Sequence, residues 1–228
     1  MAKKKISRKD LLKKPDEFLT FSERAVIFAR DHAKTLKAVG VVLAAAVLIY
    51  LALWGYFRYT NKKGLETYNL AYYALLKGKG AEPGKEERKQ AEEYFRKVME
   101  DYGLSKARRL ATAELASIRF QEGKYKEAAA LYREFLERVP EGSPYQAMGR
   151  LALAACQEAG GDVQGAVETL KMILSGPDDF FKEQAYLGLA RAYRLSKQED
   201  KAREILKKYV ETFTDSPFLP MAKAYLEK

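Results

Sequence analysis

The side chains best able to do covalent chemistry are few: the 228 residues include one cysteine, Cys156, and one histidine, His32. A thiol nucleophile needs a base beside it, and residues 58–228 contain no histidine to form a Cys–His pair. Cys156 lies in a helical pattern between Ala155 and Gln157 and reads as a small core residue. One histidine also removes most zinc sites, and one cysteine removes any internal disulfide or Cys-rich metal fold. Adjacent acids occur at Glu86-Glu87, Glu92-Glu93 and Asp178-Asp179. Glycoside hydrolysis needs two carboxylates facing each other across a cleft. Neighbours on one helix read instead as solvated surface, or, for Asp178 and Asp179, as charges at a helix start. Neither a GxxxxGK[ST] nor a GxGxxG phosphate loop is present. This inventory points away from an enzyme and implies no cofactor, no metal and no small-molecule substrate.

Hydrophobic residues make up 47% of the chain and charged residues 32%, with 15 Gly and 7 Pro, which supports a folded core and excludes a disordered or fibrous chain. The formal charge of +10 is concentrated at the start. Residues 1–37 hold 11 Lys/Arg against 5 Asp/Glu, and the other 191 residues hold 30 against 26. Acids and bases alternate along the remainder, as on a solvated surface, so no nucleic-acid partner is expected.

Residues 38–57, AVGVVLAAAVLIYLALWGYF, carry no charge. At about 1.5 Å per residue, a helix of that length covers about 30 Å, the hydrocarbon thickness of a bilayer. Trp54 and Tyr56 stand at its C-terminal end with Tyr50, Phe57 and Tyr59, and Lys37 and Arg58 bracket it. Lys37, Trp54, Tyr56 and Arg58 are the expected interface anchors. A long basic segment precedes the run, bulky aromatics follow it, and no cysteine follows closely for lipid attachment. The reading is therefore an uncleaved single-pass transmembrane helix. Eleven Lys/Arg precede the span, against Arg58, Lys62 and Lys63 in the 15 residues after it. That asymmetry keeps the N-terminus in the cytoplasm and puts residues 58–228 across the membrane. In a bacterium, which the lack of any eukaryotic targeting pattern favours, this is the inner membrane with the C-terminal domain in the periplasm. Ser22 would cap a short juxtamembrane helix, with Phe21 and Val26 closing a hydrophobic staple.

Beyond the span, apolar residues recur at helical spacing with almost no strand pattern. Four segments repeat one local pattern around Ala91, Ala128, Ala166 and Ala202, at spacings of 37, 38 and 36 residues. That period predicts an all-α protein, a right-handed α-solenoid of about nine helices after the transmembrane helix. The clearest copy, residues 109–142, has Leu115-Ala116, Phe120, the turn Gly123-Lys124-Tyr125, then Ala128, Tyr132, Leu136 and Pro140. It resembles the tetratricopeptide repeat, in which small residues let two helices approach and an aromatic wedges between neighbouring repeats. Residues 147–180 keep Leu153-Ala154, Gly161 and Ala166. Residues 183–216 keep Leu189-Ala190, Tyr193 and Ala202, with Lys197 where the turn glycine belongs. The earliest copy, about 66–105, has Leu70-Ala71 and Gly78, then an insertion over 79–86 before Ala91 and Phe95. Residues 219–228 read as a capping helix. The organisation is thus a basic cytoplasmic tail 1–37, a transmembrane helix 38–57 and a repeat domain 58–228.

This layout resembles the YfgM-like family, the ancillary subunit of the bacterial SecYEG translocon. The resemblance implies a chaperone-type inner-membrane protein that meets exported polypeptides at the periplasmic exit and hands them to periplasmic chaperones. Its partners would be translocon subunits, exported segments and those chaperones, captured weakly by a tethered groove whose tethering raises the local concentration. By resemblance to the repeat family, the first helix of each repeat lines a concave groove. The positions are Leu110, Ser117 and Gln121, then Met148, Leu151 and Glu158, then Gln184, Leu187, Arg191 and Arg194. Its middle would be apolar, with Met148 adaptable, and its end basic through Arg191 and Arg194, which suits segments mixing apolar and acidic residues. In the competing reading, Met148 and Leu151 pack against a neighbouring helix. A scaffold for another envelope assembly, in cytochrome maturation, division or secretion, would share the same layout.

Overall fold

Ten helices and no strand form among the described residues of the structure, a computed structural model that describes residues 21–77 (the Ser22 side chain excepted), 84–177 and 179–227. They are α1 (Phe21–Asp31), α2 (Ala33–Leu76), α3 (Lys85–Asp101), α4 (Lys106–Gln121), α5 (Tyr125–Glu137), α6 (Pro144–Ala159), α7 (Val163–Leu174), α8 (Lys182–Leu195), α9 (Glu199–Thr212) and α10 (Leu219–Leu226). The chain divides into two units, Met1–Tyr56 and Phe57–Lys228. Gly78, most of the 79–86 insertion, Asp178, the Ser22 cap and the basic start of the tail lie outside the described residues.

In the first unit the helical hydrogen bonding runs through His32, whose N–H donates to Phe28 O at 3.0 Å and whose carbonyl accepts from Leu36 N at 2.9 Å. Among the described residues the expected staple is not closed, with Phe21 90% and Val26 67% exposed. Helix α2 has an 18-residue window of mean hydropathy 2.4 with none of it buried. Among the described residues it is the one helix long and apolar enough to cross a membrane.

The second unit is built from pairs of helices. Connections of three residues, 122–124, 160–162 and 196–198, join α4 to α5, α6 to α7 and α8 to α9. Loops this short force antiparallel neighbours. Close approach then depends on small residues at the crossing. Ala71, Ala116, Ala154 and Ala190 on the first helices are at most 3% exposed, and Ala91, Ala128, Ala166 and Ala202 on the second at most 1%. Larger side chains fill the space between pairs, with Phe95, Phe135, Ile173 and Tyr209 fully buried. The last cluster joins Ala190, Leu206 and Tyr209 to Ala222 of α10, which caps the stack.

All three turns close in the same way. Lys124, Asp162 and Gln198 donate their N–H groups to Arg119, Gln157 and Tyr193 O at 2.9, 2.7 and 2.9 Å. This is the Schellman pattern, which puts the preceding residue in the left-handed region. Gly123 and Gly161 occupy it at φ +75° and +86°, and Lys197 occupies it at +57°. The third turn therefore keeps its geometry against the steric cost of a Cβ. Lys197→Gly should raise the unfolding free energy by about 0.5–1 kcal/mol, the relief of that strain less the added freedom of the unfolded chain. Urea titration measures it, and an unchanged or lower midpoint would contradict it.

Candidate protein-binding face

The first helices of the repeats are α2 from residue 57 onward, α4, α6 and α8, and in a solenoid of this kind they line the concave side. Their register follows from the Leu–small pairs at Leu70, Leu115, Leu153 and Leu189. Five residues before each stand Leu65, Leu110, Met148 and Gln184, all on solvent, with the three apolar side chains 50%, 38% and 43% exposed. The first helices of three successive repeats thus present a large apolar group at one register position. Tyr72 on α2 is exposed as well. Leu65 and Tyr72 escaped sequence reasoning because the insertion after the first helix obscures that copy, although the offset from Leu70 carries the signal.

The other candidate positions divide by environment. Gln121 is exposed and Ser117 half-buried. Leu151 packs on the core cluster that holds Leu170 and Leu189, and Leu187 on the cluster around Tyr209. Arg191 Nε donates to Glu158 Oε1 at 2.7 Å, which ties α8 to α6. The Arg194 guanidinium lies 4.0 Å above the Tyr225 ring of the capping helix. The structure therefore brings Glu158 and Arg191 together, which compensates Arg191, while Arg194 keeps its charge against an aromatic face. Nearer the start, Tyr68 donates to Glu114 Oε1 at 3.3 Å; burial, then the Glu114 charge, pushes the phenol up to about 12. It remains a neutral donor at physiological pH. Burial pushes the Cys156 thiol up to about 11, so almost no thiolate forms at neutral pH.

Beneath this face lies a charged cluster centred on Arg119, whose side chain is 6% exposed. Arg119 stands three residues after Ala116, the register that Gln157 and Tyr193 fill in the next two repeats. Phe120, the aromatic that the sequence suggested for the wedge, packs half-buried against Ala128 and Ala129 of its own repeat and Leu153 and Cys156 of the next, with its ring edge-on to Tyr125 at a centroid separation of 5.3 Å. Arg119 Nη1 donates to Glu92 Oε2 at 3.0 Å and to Glu122 Oε2 at 2.6 Å, Nη2 bonds to Glu92 Oε1, and Nε lies 3.1 Å from Glu127 Oε2. Arg96 and Lys124 add bonds of 3.0 Å to Glu92 and Glu122. Burial alone would raise the Glu92 and Glu122 carboxyls. The hydrogen bonds and charges of these cations outweigh it and hold both below the ordinary value of 4.5. A carboxyl depressed by folding stabilises above its unfolded value and loses that contribution as pH falls through its folded value. The melting temperature should therefore decline below about pH 4.5, and less steeply in Glu92→Gln. Equal slopes in a series of melts from pH 7 to 3 would show that the cluster does not contribute.

The repeat pattern has named counterparts. A tetratricopeptide-repeat family model matches residues 85–143 and 113–180, and a second tetratricopeptide-repeat model matches 184–216, which together take in more than half of the chain. The chain belongs to the tetratricopeptide-repeat family. Among solved structures it is similar to the kinesin light chain TPR-like repeats of Podosopora anserina and to a single-substitution form of them. Both are 20% identical, with TM-score 0.54, over 71% of this chain and 82% of theirs. At that identity the likeness establishes the solenoid fold. A search of curated proteins finds no match. Tetratricopeptide repeats mediate contacts between proteins, so the domain is a protein-interaction scaffold.

Proposed function

We propose that this chain is a scaffold tethered in the bacterial inner membrane, with residues 38–57 as the span, the N-terminus cytoplasmic and the repeat domain periplasmic. There it binds exported polypeptide segments along its concave face as an ancillary translocon subunit and passes them to periplasmic chaperones. The observation that carries this reading is the row Leu65, Leu110 and Met148, open to solvent at one register position on the first helices of three successive repeats. A row of single apolar contacts suits weak, reversible capture of extended chain, and Met148 adapts to different side chains. The unburied apolar stretch of α2 supports the tether, which keeps a weak groove at high effective concentration near its source. Tetratricopeptide-repeat proteins are typically scaffolds, and we read the chain as a non-enzyme that needs no cofactor.

The test is purification from membranes in mild detergent after crosslinking in cells, beside a Leu110→Glu/Met148→Glu variant. Translocon subunits and varied secretory proteins should co-purify. The variant should keep the translocon and recover about thirtyfold less of the secretory proteins, since two apolar contacts of this size are each worth about 1 kcal/mol. A single stoichiometric folded complex without translocon would overturn the reading in favour of a scaffold for another envelope assembly.

A further inference from the structure

The solenoid edge formed by the N-termini of the first helices carries a pattern that client binding does not use. The turn before α4 exposes Leu104 by 63%, the first turn of α6 exposes Tyr145 by 52%, and the turn before α8 exposes Phe180 by 76%. Three consecutive repeats thus put a large apolar side chain on solvent at the same edge. Around Leu104 the same edge is basic. A cleft of about 280 Å³ is lined by Gly103, Leu104, Ser105, Lys106, Arg108, Arg109 and Arg138, with no carboxylate in its wall. Glu134 compensates part of this charge, through Arg108 Nη2 at 2.8 Å and Arg138 Nε at 3.5 Å. Arg108 Nε is buried without a hydrogen-bond partner. Arg109 lies 5.6 Å over the Tyr145 ring, which sets a guanidinium beside an exposed aromatic.

Chain connectivity fixes where this edge can be. Asn61 Oδ1 accepts the Lys106 N–H at 2.8 Å, and a Cβ on Gly64 would stand 2.8 Å from Ser105 Cβ, so the start of α4 is locked against residues 61–64. Asn61 is four residues past Phe57, where the apolar run ends, and four residues span at most about 14 Å of chain. The cleft is therefore confined to the neighbourhood of the place where the run ends, whatever the angle between the units. Exposed apolar side chains interleaved with cations are the composition of a surface that lies on a bilayer, apolar groups at the acyl boundary and cations at the headgroups.

We infer that this edge, through Leu104, Tyr145, Lys106, Arg109 and Arg138, rests on anionic phospholipid headgroups of the leaflet from which the repeat domain emerges. The inference rests on α2 spanning the membrane. These cations stand far beyond the short flank that sets topology, so they do not oppose the assigned orientation.

The test uses the full chain in nanodiscs, with an environment-sensitive fluorophore on Leu104→Cys in a Cys156→Ala background and nitroxide-bearing lipids as quenchers. A control label at Gln121→Cys sits at the far end of α4, about 22 Å along the helix. Discs containing phosphatidylglycerol should give strong quenching at residue 104 and little at 121, and pure phosphatidylcholine should abolish the difference without any substitution. Lys106→Glu/Arg109→Glu/Arg138→Glu should weaken apposition by about a hundredfold, from three basic groups near a charged surface. Equal quenching at both labels, or no dependence on lipid charge, overturns the inference. So does a melting-temperature rise with inorganic phosphate in neutral detergent while lipid composition leaves quenching unchanged, because the cleft would then take free phosphate. Alkaline extraction separates the two readings: a chain washed off membranes removes the span and this inference with it, whereas a retained chain with residue 104 unquenched removes this inference alone.

Discussion

Arg119→Ala is expected to destabilise the repeat domain by about 3 kcal/mol. The substitution removes the shared cation and leaves Glu92 and Glu122, with side chains 20% and 31% exposed, facing each other in a partly desolvated site. Breaking a buried ion cluster from one side costs more than the cluster contributes, because the remaining charges lose their compensation. Arg96 and Lys124 still reach one carboxylate each, which keeps the loss at the low end for such sites. Removing both signs should recover most of it, so Arg119→Met/Glu92→Met should lie within about 1.5 kcal/mol of the parent. Chemical denaturation of the three proteins decides the matter. A cost below about 1 kcal/mol for Arg119→Ala would mean that the cluster behaves as an exposed ion pair.

Tyr209→Ala should cost about 4 kcal/mol, and Tyr209→Phe only about 1. Tyr209 is fully buried, its ring centroid 5.2 Å from that of Phe213, in the cluster that seats Ala222 of the capping helix. Alanine leaves a cavity where the last repeat meets its cap, and capping elements of solenoids shield an otherwise exposed apolar face. Phenylalanine keeps the packing and loses the hydroxyl's contacts with Glu183 and Ser216. The hydroxyl donates to Glu183 Oε1 at 2.9 Å and lies 2.5 Å from Ser216 Oγ, which itself bonds to Glu183, so that carboxylate stays partnered. Similar losses for the two variants would show that the hydrogen-bonded triad, not the ring, holds the cap. Calorimetry of both also shows whether the last repeat unfolds separately.

Most of the architecture was legible because the repeat constrains residue size at each crossing. Alanines at 91, 128, 166 and 202 can be read from the chain, and burial to 1% exposure or less is the consequence. The capping helix was legible from its turn residues, and Leu219 begins it. Arg119 was not legible, because its register holds Gln157 and Tyr193 in the next two repeats and sets no rule, and its role shows only when Glu92 of α3, Glu122 of the turn and Glu127 of α5 converge on it. Lys197 was legible as a departure, but its positive φ was not, since sequence shows the missing glycine without showing whether the turn yields. The shared register of Leu110 and Met148 could be read from the repeat alone, and both are exposed. The pairing of Arg191 with Glu158 and the stacking of Arg194 on Tyr225 depend on how far successive helices rotate past one another, which no single repeat encodes.

In the proposed function, polypeptide segments contact the row Leu65, Leu110 and Met148 in the cell. A photo-crosslinking residue at Met148, compared with one at the exposed Glu168 on the second helix of the same repeat, reads that contact. Light-dependent adducts to several exported polypeptides should form at Met148, with few at Glu168, and should vanish when export is blocked. Equal labelling at the two sites, or adducts at Met148 that persist unchanged without export, would contradict it.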